Sequence, residues 1–308
     1  GDTLEPGSFV VAATRGVGAR LDSMAAELGV TFTSLSHMPA GGMERLRAPR
    51  IAVWDRYGGA IEAGWARYVL DQFEFPYQVV YAPTLDAGNL RARYDAIVFV
   101  DGGIPERDRP GRNGMPDAAT IPAEFRDQLG TVSVATTVPR LREFMQQGGS
   151  VLTIGGSTVL AKHLGLPVAE ALTEKAANGT ERDLPTEKFY IPGSLLGVRV
   201  DATRPVAWGM ADSAIVMFNQ DPAFRIAPEA AAQGVRGVAW YGATPLRSGW
   251  AWGQQYLDGA AAIAEADVGQ GKLYLFGPEI TFRGQPHGTF KLLFNGLLES
   301  AAAPATMQ

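Results

Sequence analysis

A chain of 308 residues is long enough for one large domain or two modest ones with a well-buried core. Hydrophobic residues at 46% and charged residues at 19% describe a globular chain, and a net charge of −5 without a basic block argues against a nucleic-acid partner. The absence of cysteine excludes a cysteine nucleophile, a disulfide framework and a thiolate metal site, and no apolar run approaches the roughly 20 residues of a membrane span.

The start, Gly1-Asp2-Thr3-Leu4-Glu5-Pro6-Gly7, has neither the basic stretch nor the apolar segment of a signal peptide and reads as the edge of a piece of a longer protein. Residues 1–48 are expected to form an N-terminal β-α-β segment and linker. Residues 8–12 and 30–32 are its short apolar strands. Leu21, Met24, Ala25 and Leu28 lie at helical spacing between them, with Gly29 as the C-cap. Pro39, Gly41, Gly42 and Pro49 mark the linker.

From Arg50 strands and helices alternate. Residues 51–54 read as a strand, and Ile61, Trp65, Val69 and Phe73 as one apolar helix stripe. Residues 79–81 form the next strand. Residues 96–100 are a continuous apolar run, as in a strand buried on both faces. Residues 101–121, rich in Gly, Pro, Arg and Asp, form a long loop of the kind that often carries function. Leu141, Phe144 and Met145 mark a helix that stops at Gly148-Gly149. The buried strand 151–154 then turns through Gly155-Gly156-Ser157 into a short helix reaching Leu164. After a less regular stretch, strands are expected at 195–200, 214–218, 235–241, 260–268 and 272–276. The last two are joined by the hairpin Gly269-Gln270-Gly271. Phe290, Leu293, Phe294, Leu297 and Leu298 mark the final helix. Residues 49–300 therefore form the main domain and 301–308 a disordered tail. The alternation predicts an α/β fold with a mostly parallel, doubly wound sheet, whose ligands bind beyond the carboxyl ends of the strands.

Four strand ends gather the candidate pocket: Asp55 and Tyr57 after the first, Asp101 and Gly102 after 96–100, Gly155, Gly156 and Ser157 after 151–154, and Gly277-Pro278-Glu279 after the last. The turn at Gly155-Gly156-Ser157-Thr158 has the strand-to-helix form on which hydrolases present a nucleophile beside oxyanion-stabilising N–H groups. Either Gly155 or Ser157 stands at the nucleophile position; alternatively the glycines only permit the turn and Ser157 caps the helix. A working serine needs a base. Of the three histidines, His37 lies in the linker, His163 follows Ser157 on the same helix, and His287 precedes the last helix. No catalytic residue is expected; the alternative set is Ser157 with His287 or His163, and Glu279. No metal-binding spacing surrounds any histidine, so no metal and no cofactor are expected. Asp101 either holds a ligand hydroxyl or amine or caps its loop. Trp54, Tyr57 and Trp65, and then Trp240, Tyr241, Trp250, Trp252 and Tyr256, suit either core packing or a peptide or glycan ligand. Asn178-Gly179-Thr180 matches a glycosylation acceptor.

Several stretches together carry a family resemblance. They are Pro49-Arg50-Ile51-Ala52-Val53-Trp54; Gly64-Trp65-Ala66-Arg67-Tyr68 through Phe73-Glu74-Phe75-Pro76; Tyr94-Asp95-Ala96-Ile97-Val98-Phe99; and Gly277-Pro278-Glu279 leading into Phe282-Arg283-Gly284-Gln285 and Phe290-Lys291-Leu292-Leu293-Phe294-Asn295. This pattern resembles the C-terminal, class I glutamine amidotransferase-like region of bacterial zinc carboxypeptidase-like proteins. The resemblance implies a flavodoxin-like domain and an exported, extracytoplasmic parent whose peptidase domain is the partner on the same polypeptide. Neither the zinc ligands of that family nor the Cys-His-Glu triad of amidotransferases, with its H-x-E, has a match here. The resemblance therefore implies a non-catalytic accessory domain. A serine hydrolase similar to peptidase E-type enzymes and a carbohydrate-binding module are the alternatives.

Overall fold

The computed structural model describes residues 4–39, 42–108 and 115–305. Gly1–Thr3, Gly41, the middle of the 101–121 loop and the last three residues of the tail lie outside them. In chain order the elements are α1 (Val17–Leu28), β1 (Glu44–Arg45), β2 (Ile51–Trp54), α2 (Ile61–Gln72), β3 (Tyr77–Val80), α3 (Ala82–Asp86), α4 (Leu90–Arg93), β4 (Ala96–Phe99), α5 (Thr137–Gln146), β5 (Ser150–Ile154) and α6 (Leu160–Leu164). There follow β6 (Val168–Glu170), β7 (Thr173–Lys175), β8 (Glu181–Asp183), β9 (Ser194–Val200), β10 (Ser213–Phe218), β11 (Phe224–Ile226), β12 (Val235–Ser248), β13 (Ala261–Val268), β14 (Gly271–Phe276), α7 (His287–Glu299) and β15 (Ala303–Pro304).

The fold is mixed α/β around one large sheet. Its parallel centre runs β3-β2-β4-β5-β14. Numbered along the chain, this is the order 2-1-3-4-5, the flavodoxin-like arrangement. β2, β4 and β5 bury every residue, which is why their sequences are unbroken apolar runs. Phe73 and Phe75 meet Phe294 at ring-centroid distances of 4.8 and 5.0 Å, which joins α2 to α7. β13 then turns the sheet antiparallel, and β12, β9 and β10 extend it as a wing. The expected 260–276 hairpin is the hinge between the five-stranded parallel centre and an antiparallel part of six strands, counting β11 and β6.

The N-terminal β-α-β expectation is corrected. Residues 8–12 and 30–32 form no strand; only α1 forms, and it buries none of its residues. Phe9 is 71% exposed, and Val11, Val30 and Phe32 are exposed too. An apolar run becomes a strand only when a neighbour takes its N–H and C=O groups, and this run has none. The tail is likewise more ordered than expected: Ala303–Pro304 pairs antiparallel with Glu44–Arg45, tying the linker to the C-terminus. The α2 stripe also differs. The buried residues are Ala63, Ala66, Val69 and Leu70, while Ile61 and Phe73 are exposed. A repeat of four overshoots the 3.6-residue turn, so residues twelve apart end about 120° apart around the helix.

At the amino ends of the parallel strands, Asp95 is fully buried and receives Arg47, Arg50 and Arg91. Burial alone would push its carboxyl up, but the three guanidinium groups hold it well below the usual carboxylate range. This cluster locks the linker onto the sheet at the end opposite the candidate site.

Candidate functional site

The carboxyl ends of β2, β4, β5 and β14 lie along one edge of the parallel sheet, and Asp101 and Ser157 bridge the ends of β4 and β5. Asp55 is buried; its Oδ1 accepts the Arg56 and Ala60 amides at 2.8 Å each, and its Oδ2 lies 3.4 Å from Arg67 Nη1. It shapes the turn into α2. Tyr57 beside it is half-buried. Trp54, 5% exposed, stacks on Phe99 at 6.0 Å, so it belongs to packing.

The elbow after β5 begins at Gly155, whose φ of +59° lies in the left-handed region. A Cβ placed there would lie 2.6 Å from Asp101 Oδ1, and that same oxygen accepts the Gly156 amide at 2.6 Å. Where a hydrolase of this topology stabilises an oxyanion with the N–H following its nucleophile, this chain supplies its own carboxylate. Asp101 thus caps the neighbouring elbow rather than its own loop.

Ser157 is fully buried. Its hydroxyl donates to Val100 O at 2.5 Å and accepts the amides of Gly103 and Ile104 at 2.9 and 3.1 Å. The hydroxyl is saturated by the loop after β4, and no imidazole reaches it. His163 Nε2 contacts Pro105 O at 2.8 Å, exposed His287 lies tilted against Phe290 at 5.0 Å, and His37 is exposed in the linker. The Ser157–histidine alternative is therefore corrected: the serine staples two strand ends together, and its neighbours Gly102 and Gly156 are open to solvent.

Glu279 is 7% exposed and its carboxyl makes no hydrogen bond among the described residues. Burial, with the negative charges of Asp221, Asp101 and Glu62 added, pushes it up to about 8. Asp221, in the turn after β10, is also raised to about 8, first by burial and then by Asp101, against the Asn219 amide that lowers it. Burial thus shifts both carboxyls toward their neutral form. Asp221 is the residue that sequence reasoning missed; its only signal is the turn sequence Asn219-Gln220-Asp221-Pro222. The hydroxyl of Tyr241, fully buried near Asp221, has no hydrogen-bond partner among the described residues. Among the described residues no three histidines or carboxylates are placed to hold a metal ion.

Gly277 stands two residues before Glu279, where an H-x-E histidine would be. A Cβ there would lie 2.3 Å from Pro222 O and 2.8 Å from Ala262 O, both backbone atoms. The two positions that would carry nucleophile and base are thus glycines in contact with other groups. Of the aromatic residues, Tyr241 is core, Trp240 lies half-buried on the wing, and Trp250, Trp252 and Tyr256 are exposed. The Asn178-Gly179-Thr180 segment lies at the tip of the β7–β8 hairpin.

No family model matches this chain, and no curated protein does. Among solved structures it is similar to a β-galactosidase from Bacillus circulans sp. alkalophilus (13% identity, TM-score 0.46), with 81% of this chain covering 30% of that one. It is similar to a GMP synthase-like protein from Thermoplasma acidophilum (12% identity, TM-score 0.47), covering 83% of this chain and 96% of that one. A ThuA-like protein from Bacteroides uniformis gives 10% identity and a TM-score of 0.46 over 84% of this chain and 94% of that one. The chain thus spans less than a third of the β-galactosidase and nearly all of the other two. The flavodoxin-like assignment rests on the strand order itself.

Proposed function

We propose that this chain is a non-catalytic, amidotransferase-like domain that acts by binding and packing rather than by bond cleavage. The observation that carries this reading is the closure of both reactive positions: Gly155 against Asp101, and Gly277 against the Pro222 and Ala262 carbonyls. A catalytic ancestor with only its side chains trimmed would retain space at these positions; here other groups fill it. Asp101 on the Gly156 amide and Ser157 on the Gly103 and Ile104 amides also leave these donors unavailable to a developing oxyanion.

The setting follows from the sequence resemblance alone: an accessory domain of an exported zinc carboxypeptidase-like polypeptide, packed against its peptidase domain. Turnover of glutamine and of p-nitrophenyl acetate by the purified chain tests the reading. The expected rates equal the buffer background. Turnover above background that Ser157→Ala removes overturns it.

A further inference from the structure

A concavity lies away from the strand ends, on the antiparallel wing. β12 follows β9 through Tyr241, which pairs with Val198, and rejoins it only at Leu246, which pairs with Leu196. The four residues between, Gly242-Ala243-Thr244-Pro245, bulge out of the ladder. Between this bulge and β10 runs an open groove of about 1180 Å³.

Two arginines enter it. The Arg199 guanidinium lies over the Trp240 ring, 5.5 Å from its centroid. Arg247 folds across Gly197 so closely that a Cβ at 197 would lie 2.8 Å from its Nε and Nη2. Neither guanidinium makes an ion pair or a hydrogen bond with any described residue. Arg47, Arg50 and Arg91, by contrast, are all paired with Asp95. The planar fork of a guanidinium matches a carboxylate's two oxygens, so two unpaired guanidinium groups in one groove suit a carboxylate.

The rim narrows the choice of anion. Asp212 and Asp258 line the same groove. A polymer with an anion on every unit, such as a nucleic acid or an acidic glycan, would run its further charges against them; a single carboxylate would not. Arg199 also covers the Trp240 face on which a sugar would stack. Residues 242–245 have no ladder partner on β9 and line the groove. Ile215, 52% exposed, offers an apolar seat beside them. The geometry points to a peptide ligand bound by its C-terminal carboxylate: the carboxylate on Arg247 and Arg199, the main chain along the bulge, and the last apolar side chain on Ile215. This site is independent of the closed strand ends, so it stands or falls apart from the reading above.

Calorimetric titration of the full chain tests it with four probes: N-acetyl-Ala-Phe, its C-terminal amide, N-acetyl-Glu-Phe-amide and hexagalacturonate. The free acid is expected to bind, with the two amides and the hexagalacturonate at least about tenfold weaker. Arg247→Gln and Gly197→Ser, the second of which displaces Arg247 by its new Cβ, are each expected to weaken the free acid about tenfold, with unchanged melting curves for the exposed Arg247 variant. Equal binding of acid and amide, tighter binding of the Glu-Phe-amide or of hexagalacturonate, an unaltered Arg247→Gln affinity, or no binding of the acid at about 1 mM overturns the assignment.

Discussion

Asp101 and Gly156 come from different strand ends, and the carboxylate of the first accepts the amide of the second at 2.6 Å. That bond places a carboxylate where catalysis on this fold would develop a transient oxyanion. It also explains why the elbow needs no side chain at Gly155: the space is already filled.

Asp101→Ala tests this arrangement. It frees the Gly156 amide and removes a negative charge that acts on both Asp221 and Glu279. The carboxyl resonances of Asp221 and Glu279 are therefore expected to titrate at lower pH in the variant, as followed by carbon-13 NMR. Identical midpoints in the two proteins would refute the coupling.

Ser157→Ala removes a buried hydroxyl that serves two amides and one carbonyl. Leaving these unpaired costs about 1–3 kcal/mol. Chemical denaturation should show a loss of that size. A neutral substitution would mean that the hydroxyl is not the staple between β4 and β5.

Gly277→Ala forces a Cβ against two carbonyl oxygens of the backbone, which cannot swing aside as a side chain can. A loss of about 3 kcal/mol or more is expected from such overpacking. A variant as stable as the parent would show that the histidine position is open after all.

Stability should fall as pH rises from about 4 to about 8. Asp221 and Glu279 are raised to about 8 by burial, and Glu170 to about 7, so the folded chain holds protons that the unfolded chain has already released. The stability these groups contribute is complete below their unfolded values and is lost as pH climbs through the folded ones. Asp95 has the opposite sign, but its contribution is complete once the unfolded carboxyl has ionised, at the acid edge of this window. Each unit of displacement is worth about 1.4 kcal/mol, so Asp221→Asn should visibly flatten the decline between pH 4.5 and 8. An unchanged slope would place the proton elsewhere.

The parallel centre was legible because full burial writes itself as unbroken apolar sequence, as in Ala96-Ile97-Val98-Phe99. The elbow was legible because Gly155-Gly156 can only be a tight turn. The partners were not. Whether Ser157 faces a cavity or the carbonyl of Val100 depends on how closely the loop after β4 approaches, and residue spacing does not encode that distance. Residues 8–12 misled because strand propensity is a property of a pair, and the second strand is absent among the described residues. Asp221 escaped notice because it lies in the turn after β10, and only the packing of that turn against the segment after β14 brings it to Glu279.

The most direct measurement is intact-mass spectrometry, with peptide mapping, after exposure of the native chain to a fluorophosphonate probe and to the glutamine analogue 6-diazo-5-oxo-norleucine. Closed reactive positions predict an unshifted mass with both reagents. A stoichiometric adduct mapped to Ser157, or to any side chain at the strand ends, would contradict the account.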